Sequence, residues 1–342
     1  MGWESARLGA LLVFAPCVSC ERAEPARSTL EPPGYVAFAK EPVPPPPEAP
    51  TTAGACVSSL TAGRHELEHG GRARAFVVDL PAEPAPAGPR PLLFAFHGWG
   101  GDPEQLEGTT RIASTASSRG YVVVRPYGFN KSFDAGACCG LASELRVDDV
   151  GLVRALVAKL EAEACIDRRR VYATGFSNGG FLAHRLGCEA ADLFAAVASV
   201  AGTLGMPRCA PARPVSVLQI HGKADGIVPF AGNSAKGWRS VASTIDEWTR
   251  ALRCPPDAAA ESYANGGARC ATNPACDGGS EVTLCRIEEA AHTWPGGPRS
   301  TGFGGSKALD ATGTILAFFE RHAREATGAP LDGPSPGDEH NP

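Results

Sequence analysis

A serine, an aspartate and a histidine occur in this chain in the order and settings that acyl transfer needs. Gly175-Phe176-Ser177-Asn178-Gly179-Gly180 follows the apolar run Arg170-Val171-Tyr172-Ala173-Thr174 and precedes Phe181-Leu182-Ala183-His184-Arg185-Leu186. That pattern predicts strand, sharp turn and helix, with the Ser177 hydroxyl lifted at the tip of a nucleophile elbow and glycines allowing the turn to close tightly. A hydroxyl is a poor nucleophile at neutral pH unless a base takes its proton, and the base needs a carboxylate to hold its tautomer. Pro214-Val215-Ser216-Val217-Leu218-Gln219-Ile220 reads as a strand running into His221-Gly222-Lys223-Ala224-Asp225, which makes Asp225 the candidate acid. Val282-Thr283-Leu284-Cys285-Arg286-Ile287 alternates like another strand and is followed by Glu288-Glu289-Ala290-Ala291-His292, which makes His292 the candidate base. Nucleophile, acid and base thus follow one another along the chain, each on a loop after its own strand.

The tetrahedral intermediate needs donors aimed at its oxyanion. The backbone N–H of Asn178, next to the nucleophile, is one candidate. The other should come from the turn after an earlier strand, and 91–96 feeds His97-Gly98-Trp99-Gly100-Gly101, which offers Trp99 N–H first and Gly100 N–H second. Trp99 and Trp294 are candidate walls for an apolar or aromatic group, with packing before Pro295 as the other role for Trp294. Plainer roles exist for other residues. Asp225 could cap a turn before Gly226, and Asp246 and Glu247 fall in a helix-like stretch whose exposed face would hold them. His97 and His221, each before a glycine at a strand end, should shape their loops. His65, His69, His184, His322 and His340 read as surface or helix residues.

These groups must be positioned by alternating elements. Strands are expected at 75–80, 92–96, 121–125, 170–174, 194–200, 215–220 and 282–287, and helices at 104–118, 148–163, 178–186, 241–252 and 307–324. Asp148 and Asp149 open one of those helices, where acidic residues stabilise the first turn. The alternation predicts an α/β protein with a mostly parallel sheet flanked by helices. No internal repeat and no long insertion for a helical lid are visible.

The set His97-Gly98-Trp99-Gly100-Gly101, Cys138-Cys139-Gly140, Val147-Asp148-Asp149-Val150, Gly175 to Gly180, His221-Gly222 with Asp225, and His292-Thr293-Trp294-Pro295-Gly296-Gly297 resembles the secreted polyhydroxybutyrate depolymerase and type-B feruloyl esterase family over residues 53–326. The resemblance implies an α/β-hydrolase fold and hydrolysis of carboxylic esters, either 3-hydroxyalkanoate oligomers or feruloyl and acetyl esters of plant polysaccharide. Phe133 stands where such sequences often have Trp, which makes it a further candidate for substrate contact. Ala291 stands where Gly often precedes the histidine.

Composition sets the context. The 342 residues carry a net charge of -5 and no basic cluster, which gives no case for nucleic acid. Residues 1–20 read as a signal peptide or lipoprotein leader, with a lipid anchor at Cys20 as an expectation from Val18-Ser19-Cys20. Residues 21–52 form a proline-rich linker that cannot build helix or sheet, residues 53–326 the catalytic domain, and 327–342 a solvated tail. Twelve cysteines, ten of them beyond the leader (Cys17 and Cys20 set aside), suit disulfides in an oxidising compartment. They lack zinc-ligand spacing. Spacing does not fix the pairing; Cys188 with Cys209 is the expected pair, and a bridge from Cys138 or Cys139 would brace the loop 128–140. A monomer that needs no metal or cofactor is expected. The contrasting possibility is a surface-displayed, non-catalytic polymer-binding protein that keeps the fold, against which the presence of all three reactive residue types argues.

Overall fold

The computed structural model describes residues 58–81, 88–298 and 305–324. The expected leader, linker and tail, with Cys17, Cys20, Cys56 and His340, lie outside them. Ten strands form a single sheet in the order β1-β2-β4-β3-β5-β6-β7-β10-β9-β8. They are β1 (Gly63–His69), β2 (Arg72–Asp79), β3 (Arg90–Phe96), β4 (Val122–Pro126), β5 (Ile166–Phe176), β6 (Ala196–Val200), β7 (Ser216–Gly222), β8 (Ala260–Asn265), β9 (Ala268–Asn273) and β10 (Val282–Ile287). The six central strands, from β4 through β10, are parallel, and antiparallel pairs close both edges.

Apolar patterning explains the layering. Along β3, Phe94 and Phe96 point to one core while Leu93 and Ala95 point to the other, all fully buried, as a strand covered on both faces requires. The first core packs helices α4 (Asp149–Glu163), α5 (Asn178–Glu189) and α6 (Val241–Ala251); the second packs α1 (Pro103–Thr110), α2 (Ile112–Ser118) and α7 (Ala311–Glu320), and α3 (Leu141–Glu144) is a single short turn. Caps set the helix starts: Asp102, Asp148, Ser240 and Asp310 each accept a first-turn N–H.

Several expectations need correction. The helix expected over 104–118 is broken at Arg111, whose φ of 53° is left-handed, and the Glu107 carboxylate caps the second piece by accepting Ala113 N–H and Ser114 N–H. The final helix is shorter than 307–324 because Asp310 caps it. Asp149 is not merely a first-turn acid: it is buried, paired with Arg74 at 2.6 Å and accepting Asp134 N–H. Cys138 and Cys139 bond to each other rather than bracing the loop from outside. Cys188–Cys209 forms as expected, joined by Cys254–Cys276 and Cys270–Cys285.

Candidate active site

Ser177 stands between β5 and α5 with φ 54° and ψ −118°, a conformation that costs a non-glycine residue about 1–3 kcal/mol and persists only where neighbours over-determine it. The neighbours are visible. Ser177 N–H donates to Val200 O at 2.8 Å, tying the turn to β6. On the other side the loop after β3 presses in: a Cβ on Gly179 would lie 2.2 Å from Phe96 O, so only glycine lets α5 start this close to β3.

The Asn178 side chain is fully buried and clamps Phe133, accepting its N–H at 2.8 Å and donating to its carbonyl at 3.0 Å. Its backbone N–H opens α5, where an amide has no intrahelical partner, and it meets no acceptor among the described residues. Trp99 N–H is in the same condition. Gly100 N–H donates to Lys131 O at 2.8 Å, which removes Gly100 from the expected donors.

Asp225 is 4% exposed. Its Oδ1 accepts Ile227 N–H at 2.9 Å and Val228 N–H at 2.8 Å; its Oδ2 faces His292 Nδ1 at 2.8 Å and His221 Nε2 at 3.4 Å. Burial pushes the Asp225 carboxyl up, but hydrogen bonds from His221 and His292, the His292 charge and Val228 N–H outweigh it and hold the group well below the usual carboxylate range. An ionised carboxylate only accepts, so His292 carries its proton on Nδ1 and turns the Nε2 lone pair outward. The imidazole lies 4.9 Å from the Phe176 ring, one residue before Ser177. Ser177 Oγ and the imidazole share no hydrogen bond in this structure, a contact that often tightens only with substrate.

The substrate-contact expectations change. Phe133 is 1% exposed, its ring packed 5.4 Å from Phe96 and 4.7 Å from His97. Trp294 is 1% exposed, donates Nε1–H to Thr312 Oγ1 at 2.9 Å and supports Phe176 edge-on. Both are packed in the interior, and neither lines the cavity beside Ser177. A cavity of about 380 Å³ opens instead beside Ser177, walled by Trp99, the Cys138–Cys139 disulfide, Ile227, Val228 and Trp238, with Lys236 as its charged member. Ile227 and Val228 were findable, since they follow Asp225 on its own loop. A larger cavity, about 480 Å³, lies between β8–β10 and α7 and is lined by none of Ser177, Asp225 and His292.

Two other histidines are held in the interior. His97 shapes its loop as expected, donating Nδ1–H to Gly98 O at 2.8 Å and accepting Gly128 N–H at 3.0 Å, and burial pushes its pKa down. Of the two settings expected for His184, the structure shows the helix: it lies on α5, fully buried between Gln219 and Trp248. Among the described residues no cluster of His, Cys, Asp or Glu could hold a metal ion, and no helix is long and apolar enough to cross a membrane.

No family model matches the sequence. The Nocardia uniformis subsp. tsuyamanensis protein NocK, whose name describes it as an esterase, is 34% identical over 297 residues, which are 75% of this chain and 85% of NocK. The chain belongs to the α/β-hydrolase esterase family. The esterase is also 29% identical to feruloyl esterase B of Piromyces equi over 59% of this chain, spanning 39% of that longer protein. Among solved structures, a thermostable esterase matches with a TM-score of 0.52 at 17% identity, over 76% of this chain and 63% of that one, a likeness of fold. The esterase is a carboxylic ester hydrolase.

Proposed function

We propose that this is a secreted serine esterase working through an acyl-enzyme on Ser177, with His292 as base and Asp225 as its orienting acid. The observation that carries the reading is the pairing of His292 with the buried Asp225 at 2.8 Å, its imidazole packed against the residue before Ser177. His292 Nε2 takes the Ser177 proton as Oγ attacks the ester carbonyl, and the electron pair of the C=O bond moves onto oxygen. The N–H groups of Asn178 and Trp99 stabilise that oxyanion. Collapse expels the alcohol, which takes the proton from Nε2. Water then repeats the sequence, releasing the acid and restoring Ser177.

The wall of Trp99, Ile227, Val228 and Trp238 suits an apolar or aromatic group next to the scissile carbonyl. We assign the substrates to the class of 3-hydroxyalkanoate oligomers or feruloyl and acetyl esters of polysaccharide. Turnover of p-nitrophenyl acetate by the parent and by Ser177→Ala tests the mechanism: the variant should lose activity by about 10⁶-fold in kcat. Equal rates would favour a non-catalytic polymer-binding protein. Parallel panels of hydroxybutyrate oligomers and feruloyl esters then divide the two substrate classes.

A further inference from the structure

We propose that Trp248, His184, Gln219 and His221 form a buried relay of positioning residues that fixes the donor direction at Asp225 and thereby aligns the base. The inference rests on the reading of Ser177, His292 and Asp225 given above. Trp248 Nε1–H donates to His184 Nδ1 at 3.0 Å, and His184 Nε2–H to Gln219 Oε1 at 2.7 Å. Gln219 Nε2–H donates to His221 Nδ1 at 3.1 Å, and His221 Nε2–H to Val228 O at 2.8 Å while facing Asp225 Oδ2 at 3.4 Å. None of the four side chains is more than 1% exposed.

Both ends dictate the protons between them. An indole N–H only donates and a backbone carbonyl only accepts, so His184 must accept at Nδ1 and His221 must donate at Nε2. The central amide is fixed independently, because Gln219 Nε2 also donates to Gly202 O at 2.9 Å. Flipping it would aim its oxygen at that carbonyl. Each histidine is therefore held neutral, with its proton on Nε2. Burial pushes His184 down to about 4, with the Gln219 hydrogen bond opposing and His221 adding to the depression, so no second proton faces the indole near neutral pH.

The placement joins the moving parts of the reaction. His184 lies on α5, the helix that begins directly after Ser177; Gln219 and His221 lie on β7, the strand that delivers Asp225. Val228 is gripped at both ends of its peptide group region, its N–H by Asp225 Oδ1 and its carbonyl by His221. Were His221 to move its proton to Nδ1, a lone pair would face both Val228 O and Asp225 Oδ2. The carboxylate would turn away, and His292 with it.

Three variants and one spectroscopic measurement test this. His221→Phe keeps the ring shape without a donor and should lower kcat by about tenfold to a hundredfold, the scale of a small misplacement of a catalytic group, at little changed KM. His221→Gln, which restores a donor near the Nε2 position, should recover kcat to within about threefold of the parent, and only the Phe variant should shift the acid limb of the kcat/KM profile. Trp248→Phe, remote from substrate, should lower kcat by about threefold to tenfold. On the parent protein, ¹⁵N-detected imidazole shifts at pH 7 should show His184 and His221 as neutral Nε2–H tautomers, a readout that survives if a variant fails to fold. Full kcat in His221→Phe, or an Nδ1–H or charged form of either histidine, overturns the relay. Ser177→Ala inactive beside unaffected relay variants would sink the relay alone; an active Ser177→Ala would sink the reading beneath it.

Discussion

Asp225 receives N–H groups from Ile227 and Val228, pairs with His292 and faces His221, whereas Ser177 Oγ, two strands away in the sheet, takes part in no hydrogen bond among the described residues. The backbone of Ser177 is as tightly held as the Asp225 side chain is, through Val200 O and the close approach of Gly179 to Phe96 O. Asp225 and His292 are therefore aligned in advance by side-chain hydrogen bonds, while Ser177, the proposed nucleophile, is placed by main-chain packing. Groups that must stabilise charge act best when already oriented, and a nucleophile that must move onto a carbonyl benefits from the opposite.

The sharpest way to break this contrast is Asp225→Asn. The side chain would keep its size but could hold His292 in the wrong tautomer, so kcat should fall by about 10⁴-fold. Steady-state kinetics check this, and a loss below tenfold would mean that the pre-aligned half matters little. Acid sensitivity comes next. The unfolded chain protonates His184 near its ordinary value of 6.5 and the native protein only near about 4, so stability present above the unfolded value is lost as pH falls through the folded one. Urea unfolding should show a loss of about 3 kcal/mol between pH 7 and pH 4 from this group. Asp225, held low in the native state, keeps its own contribution down to still more acidic pH. An unfolding free energy that stays level over this range would contradict the buried, neutral His184.

Main-chain placement of Ser177 is tested by Gly179→Ala. Its added methyl meets Phe96 O, and overpacking of this kind costs about 1–3 kcal/mol, read as a lower urea midpoint together with lost turnover. The smallest effect is expected at Trp99, which is 67% exposed. Its proposed role in the oxyanion hole belongs to the backbone amide, so Trp99→Ala should leave kcat within about threefold and raise KM instead. A large kcat loss at unchanged KM would move the role to the side chain.

The central strands and the loop positions of the candidate residues Ser177, Asp225 and His292 were legible because each sits where periodicity changes: strands end at Phe176, Gly222 and Ile287, and glycine-marked loops begin. The edges were not. β8 is exposed along its whole length, so Ala260 to Asn265 shows no alternation to read, and β1 is an edge strand of charged residues. The break at Arg111 falls three residues past Gly108 rather than on a glycine or proline. The helix position of His184 is legible in the sequence, its burial less so, because a lone polar residue on a helix is usually exposed. Its neighbours Asn178 to Ala183 are all buried, and a helix without a charged face before Arg185 was the available sign that His184 needs an internal partner. Phe133 and Trp294 drew attention as aromatics near motifs, yet their burial comes from contacts that only the fold brings together.

Labelling with an organophosphate ester tests the central claim most directly. Intact mass followed by peptide mapping should find one phosphoryl group, on Ser177, with activity lost in step, and much slower labelling in Asp225→Asn. A stoichiometric label elsewhere, or a phosphorylated Ser177 in a protein that still turns over esters, would contradict the account.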